Sequence, residues 1–403
     1  MSQVNIRHSE SASYAGIEST FGTTPTMTRF FPITSSVDPA VDQEELDVDE
    51  ESIYLADYKA PVKGLKSGNL KFGCYLAPDG TVLSAAASPS TPWLGTLLKA
   101  LLGAEASGAG STVASSGSAT AVTVASGHGS RFAVGGWALF ETGGAVEPGR
   151  VSAIATDALT LDLAISAAAT SSGIVSNCYT YYWTEGNTQS LTIQHALIGN
   201  SSHQWTFNGC TGGWALKLDR NGLLRVDFDL KVASWTGPSA QSLTVTVGSN
   251  GMGSPWSMKD ATCILQAYNT TTRTHYPLHS VSCKFADGLE HIPELGGVEG
   301  RTGVMRTTGR KGTEFTVRFQ SDQVRDATDW VSRTVLQLVV LVPQGSGTSK
   351  RWFILDVPRC VIVGKPKLVK EGGFTLTEIT LRPQINTSGS TALARAPYKI
   401  AIG

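Results

Sequence analysis

Charge is what this sequence has least of. Asp, Glu, Lys and Arg make up 16% of 403 residues and sum to −1, against about a quarter charged in an ordinary globular chain. So small a net charge excludes a general electrostatic attraction to nucleic acid or to an anionic membrane, while leaving neutral contact with DNA open. Long apolar runs are missing as well. The most apolar stretch, VLQLVVLV at 335–342, has the length of a buried strand, where a membrane-spanning helix needs about 20 residues; no membrane partner is expected. The start, MSQVNIRHSESASYAG, lacks a basic segment followed by an apolar one, so no signal peptide is expected. Cys74, Cys178, Cys210, Cys263, Cys283 and Cys360 never form a C-x-x-C pair, which predicts free, buried thiols in a reducing compartment.

Signatures of chemistry are equally scarce. There is no G-x-x-x-x-G-K-[ST] phosphate loop, no G-x-S-x-G nucleophile elbow and no D-x-[DN]-x-[DN]-G calcium loop. Cys263, His275, His279 and Cys283 form the best metal-ligating set. Pro277 between the histidines and the alternating flanks predict strand or turn there, so core cysteines with surface histidines are expected rather than a site. No catalytic residue, cofactor or metal is assigned, and the chain is not expected to be an enzyme. The 33 acidic residues leave a carboxylate pair for glycoside hydrolysis open.

What the chain does hold is 43 glycines among many Ser, Thr and Val, the composition of a mainly β protein rich in turns. Residues 1–61 read as an N-terminal arm followed by an acidic loop; 38–57 carries nine acids and no Lys or Arg. Strands follow at 62–76, then a helix over 92–102 with Thr91 as cap, Pro92 at its first position and Gly103 just beyond its end. Leu94, Leu97, Leu98, Leu101 and Leu102 share one face of that helix, spaced to pack on a sheet. Residues 107–173 have few large side chains and read as a small β module inserted into a domain spanning 62–106 and 174–240. An insertion of this kind is expected to project outward and to be dispensable for assembly. Residues 241–403 form a second domain, with SDQVRDATDWVSR at 321–333 as the other helix.

The two domains resemble each other. The first runs GNLKFGCYL, a helix with Trp93, then QWTFNGCTGGWALKLDRNGLLRVDFDL; the second runs GTEFTVRF, a helix with Trp330, then RWFILDVPRCVIVGKPKLVKEGGFTLTEITL. Cys210 and Cys360 are each followed at seven and eight residues by Lys-Leu (Lys217-Leu218, Lys367-Leu368) and at twelve by Gly222 or Gly372. Shared order plus fixed spacing predicts a duplicated domain. Each copy would be a β-sandwich or open barrel with one flanking helix.

AGIESTFGTTPT, GLKSGNLKFGCYL with the helix ending LLKALLG, and SLTIQHALIG through WALKLDRNGLLRVDFDL together resemble major tail tube proteins of long-tailed, siphovirus-type bacteriophages. The inserted STVASSGSATAVTVASGHGSRFAVGGWALFE resembles modules found within them. The resemblance covers nearly the whole chain through soft motifs and order of elements. It implies a virion protein assembled in the host cytoplasm, polymerising into stacked rings whose lumen passes double-stranded DNA. In the members with two tube domains per chain, three chains make a pseudo-hexameric ring. The implied partners are other copies of itself, a tape measure protein in the lumen, and terminator and tip or baseplate proteins at the ends. The alternative is a β-rich carbohydrate-binding or hydrolytic tail-fibre or lectin-like protein, which would need an exposed aromatic and carboxylate cleft.

Two residue sets follow for the tube reading. In RVDFDLK, Arg225, Asp227, Asp229 and Lys231 alternate with Val226, Phe228 and Leu230, so one face is charged and the other packs. That face, with Lys71 and Arg318, is expected to line or border the lumen. For the joint between stacked rings, the acidic segment supplies Glu44, Glu45, Asp47, Asp49, Glu50, Glu51, Ile53, Tyr54 and Leu55, with Arg301, Arg306, Arg310 and Lys311 as recipients.

Overall fold

The computed structural model describes residues 11–403 apart from 28, 32, 34–36, 47–61, 79–82, 86–91, 93, 187, 198–202, 220–221, 241–253, 277, 286–287, 308–312, 321–322 and 372. The fold is mainly β, as the composition requires. Its backbone is one continuous sheet of eight strands. In spatial order these are Asp38–Leu46, Val62–Tyr75, Arg225–Val232, the second half of His203–Asp219, Leu278–Phe285, Glu314–Phe319, Phe374–Pro383 and the second half of Arg351–Glu371, every neighbour antiparallel.

The two longest strands leave this sheet at one end and enter a second layer. The first half of His203–Asp219 lies between Leu191–Leu197 and Ser234–Ala240, and Ser11–Ile17 and Arg29–Phe31 extend the layer. The first half of Arg351–Glu371 lies between Leu336–Gln344 and Lys399–Ile402. Thr262–Ala267 and His275–Tyr276 extend that layer on one side, and Tyr179–Trp183 with Gly103–Ala106 on the other. The pairing pattern around Cys210 thus recurs around Cys360, including the hairpin that follows each long strand. The crossing at Cys210 depends on Gly209, whose φ is +64°, and a Cβ there would sit 2.6 Å from that of Ala233.

Between the layers lies the main core, with Leu70, Phe72, Cys74, Val226, Phe228, Leu230, Trp214 and Leu216 from the first half and Val281, Phe285, Phe315, Val317, Ile379 and Leu381 from the second. Period-two alternation produces it: in Arg225–Val232 every second residue is buried. Helix α1, Gly95–Leu102, is shorter than expected; Leu94 occupies the cap position and Gly103 (φ +107°) ends it. Its Leu97, Leu98, Leu101 and Leu102 are buried in this core. Helix α2, Gln323–Ser332, packs Trp330 against the same core. A third helix that the sequence reading missed, α3 at Ala392–Arg395, is a single turn capped by the Thr391 hydroxyl.

The inserted segment closes into a six-stranded barrel of Ser111–Ser118, Ala121–Val124, Trp137–Thr142, Ala145–Ala155, Ala158–Leu161 and Ile174–Asn177, with its own core of Val113, Val122, Phe140, Val151 and Leu159. Its last strand runs beyond residue 173.

The expected N-terminal arm needs correction. Ser11–Ile17 is a strand on Leu191–Leu197 with Ala12, Ser13 and Ala15 buried, and its small residues give it little apolar signal. Glu18, just after it, accepts hydrogen bonds from Gly22 N, Gly209 N, Ser190 Oγ and Thr192 Oγ1. The first part of the expected acidic loop, Asp38–Leu46, is a strand of the main sheet, because Val37, Pro39 and Val41 interleave its charges and Val62–Tyr75 offers a partner edge.

Candidate functional surface

All six residues expected at the lumen lie on the eight-stranded sheet, on the face away from the core. Their register follows from the ladders. Tyr75, Arg225, Lys217, Ser282, Thr316 and Thr380 form one row across six strands, and Lys71 stands opposite Asp229. Arg318 sits between Ser280 and Glu378. The row crosses from the first half of the chain into the second without a break.

Opposite charges neutralise each other along this face. Lys71 Nζ is 3.7 Å from Asp229, Lys217 Nζ 3.4 Å and Arg225 Nε 2.6 Å from Asp227, and Arg318 Nε 2.8 Å from Glu378. Arg382 reaches Glu314 at 2.6 Å, and Lys231 reaches Glu290 at 2.5 Å. Lys71 and Asp229 are both 64% exposed, so such pairs are worth about 0–1 kcal/mol each and mainly set local charge balance. Lys217, Glu314, Glu378 and Arg382 belong to this surface although sequence reasoning did not select them; the same alternation that marked RVDFDLK marks them too.

The residues expected to join stacked rings divide into three groups. Asp47, Asp49, Glu50, Glu51, Ile53, Tyr54, Leu55, Arg310 and Lys311 lie outside the described residues. Glu44 and Glu45 are exposed on the strand Asp38–Leu46 at one end of the main sheet. Arg301 and Arg306 are engaged within the chain: Arg301 Nη1 donates to the carbonyls of Lys66, Ala233 and Glu299, and Arg306 donates to Leu101 O while lying over the Trp183 ring. These contacts fasten the hairpin Leu289–Val298/Arg301–Arg306 of the second half onto the first. His291 Nε2 and Gly209 O, 2.7 Å apart, add to the joint. Burial, chiefly, lowers the pKa of this histidine, and the nearby Arg301 and Lys231 act in the same direction.

A buried charge cluster went unnoticed in the sequence. Arg150, from the barrel, donates to Asp162 at 2.9 Å, to Asp356 at 2.8 Å and to Gln337 at 2.6 Å. Trp137 Nε1 donates to the other oxygen of Asp356, and Lys399 Nζ donates to Gly135 O and lies 3.7 Å from Asp356. Burial works against the Arg150 charge, but Asp356 and Asp162 outweigh it and hold its pKa above the ordinary value. Burial brings Lys399 down to about 8 against the pull of Asp356. Around the cluster, Trp137, Leu139, Val146 and Leu163 of the barrel pack on Val339, Leu341, Trp352 and Ile354 of the second half. The available signal was a lone charge inside an apolar strand, as in FILDV and YKIAI. A cleft beside this contact is lined by Arg150, Asp162, Tyr268, Asn386, Ser388 and Lys399.

All six cysteines are free and buried. Cys263 and Cys283 are core residues, His275 is exposed, and His279 lies 3.9 Å from Glu371. Among the described residues no group of three or more His, Cys, Asp or Glu is placed to hold a metal ion, and no helix is long and apolar enough to cross a membrane. The eight described tryptophans are buried or half-buried. The chain matches no known protein-family profile, and a search of curated proteins returns no significant match.

Proposed function

We propose that this chain is a non-enzymatic structural subunit of a phage-type tail tube, polymerising into stacked rings around a lumen that conducts double-stranded DNA. One observation carries the reading. The second half of the chain adds the strand Leu278–Phe285 to the edge of the first half, along His203–Asp219, and so extends a single sheet. The joint is antiparallel and is reinforced by Trp214 stacked on Phe285 at 3.7 Å. A chain that joins its own halves edge to edge already contains the contact that a ring repeats. Three such chains would place six repeats around a lumen.

The exposed face suits a conduit. Its cations are matched by Asp227, Asp229, Glu314 and Glu378, and phosphate affinity grows with the number of unneutralised cationic contacts. DNA would pass without being held, and without base readout. The remaining partners are those of a virion tail: a tape measure protein inside, and terminator and tip or baseplate proteins at the ends.

Electron microscopy of the purified protein at high concentration tests this. Rings or tubes with three chains per turn are expected. Six chains per ring would overturn the stoichiometry, and discrete monomers that bind glycans would overturn the function.

A further inference from the structure

The main sheet ends on two edges of opposite charge. At one end, Asp38–Leu46 carries Asp38, Asp42, Glu44 and Glu45 and no base, and Val62–Tyr75 is its only strand partner among the described residues. At the other end, the second half of Arg351–Glu371 reads VIVGKPKLVKE, with Lys365, Lys367, Lys370 and one acid, Glu371. Among the described residues, 361–371 pairs only with Phe374–Pro383. Lys365, Lys367 and Lys370 are exposed, as are Asp42, Glu44 and Glu45. Helix α2 lies against this long strand and turns Trp330 into the core.

The internal repeat relates these edges to each other. Leu278–Phe285 precedes and pairs with Glu314–Phe319 as Asp38–Leu46 precedes and pairs with Val62–Tyr75. The second half of Arg351–Glu371 follows Cys360 as the second half of His203–Asp219 follows Cys210. The contact between Leu278–Phe285 and His203–Asp219 inside the chain therefore has a counterpart that one chain cannot make alone. We infer that the acidic strand Asp38–Leu46 of one copy pairs antiparallel with the lysine-bearing strand 361–371 of the next. This assignment rests on the tube reading. It moves the acidic segment's first part from the joint between rings to the joint within a ring, with Lys365, Lys367 and Lys370 as recipients instead of the arginines near residue 301.

The two joints of the ring then differ in kind. The one inside the chain is held by stacked aromatic rings and a covalent tether. The one between copies has a run of acids facing a run of lysines, which steers the correct edges together and repels like edges, acid from acid and lysine from lysine.

Charge reversal of each edge tests the pairing in the full chain. Asp42→Lys/Glu44→Lys/Glu45→Lys and, separately, Lys365→Glu/Lys367→Glu/Lys370→Glu should each remain a folded monomer with unchanged circular dichroism and lose ring formation. A chain carrying all six substitutions should regain it. Sedimentation velocity and electron microscopy read the outcome. Wild-type rings accompanied by undiminished rings from both single-edge variants would overturn this edge assignment and leave the tube reading standing. A folded six-fold variant that stays monomeric beside wild-type rings would also overturn the assignment. Wild-type protein that stays monomeric at every concentration would overturn both.

Discussion

Lys399 is a cation that the fold buries completely. It is 1% exposed beside Asp356, Arg150 and Asp162, and folding lowers its pKa from the ordinary 10.5 to about 8. Between those values the unfolded chain holds a proton that the folded chain has released, so stability rises with pH across that window. Below about pH 8 the advantage is gone, because both states are protonated and the folded one bears the cost of a buried ammonium. Comparison with Lys399→Met isolates this behaviour from other titrating groups. The difference in urea midpoint between wild type and variant should shift in favour of wild type from pH 8 to 10.5 and stay flat from pH 6 to 7. A difference independent of pH throughout would mean that Lys399 keeps its ordinary pKa in the folded chain, and one that also rose from pH 6 to 7 would mean that it is already neutral there.

At the scale of elements, the inserted barrel changes its expected status. An insertion at an exposed tip is normally removable, but this one covers Val339, Leu341, Trp352 and Ile354 and supplies Arg150 to Asp356. Removing one partner of a buried ion pair typically costs about 3–5 kcal/mol, and the uncovered apolar face adds to that. Lys399 stays beside Asp356 and offsets part of that cost, so replacing residues 111–177 with a short Gly/Ser bridge should destabilise the remaining chain measurably and reduce its soluble yield. Urea unfolding with fractionation of the lysate would measure both effects, and an equally stable, soluble deletion would contradict the clamp. Much of this organisation was legible in the sequence. Alternation marked strands of the main sheet such as Arg225–Val232, though not Asp38–Leu46, which read as an acidic loop; the leucine spacing marked α1, and the Cys-to-Gly spacing marked the corresponding long strands. Ser11–Ile17 was not legible, because a strand built from Ser, Ala and Gly is defined by its neighbours and not by its own hydrophobicity. The barrel's docking face was hidden for a different reason: Arg150 and Asp356 are 206 residues apart, and nothing local couples them.

For the whole molecule, the property that matters is balance of charge over one continuous face. The four residues marked by alternation in RVDFDLK and the two added from neighbouring strands, Lys71 and Arg318, share that face, while their membership in a sheet spanning both halves of the chain could not be read from spacing, since it depends on the joint at Trp214 and Phe285. If the face borders a DNA passage, its acids keep the passage slippery. Asp227→Lys/Asp229→Lys would leave Arg225, Lys217 and Lys71 without their counter-charges. Assembled protein carrying these changes should retain double-stranded DNA at low salt. Its log K against log salt should steepen by about 0.9 for each phosphate newly contacted. Unchanged DNA retention, measured by filter binding across a salt series, would place this face away from the nucleic acid.

The two long strands have a mechanical consequence. Arg351–Glu371 is 21 residues long and His203–Asp219 is 17, and each belongs to two layers at once. In a sandwich of separate sheets, the layers meet only through side chains and can slip past one another under load. Here slippage would have to drag a strand lengthwise through its hydrogen-bonded neighbours, and a ladder pulled along its strands loads many bonds in parallel rather than one after another. Both halves of the chain are pinned in this way, so bending force on one layer passes into the other through the backbone itself. The molecule is built as a stiff tile.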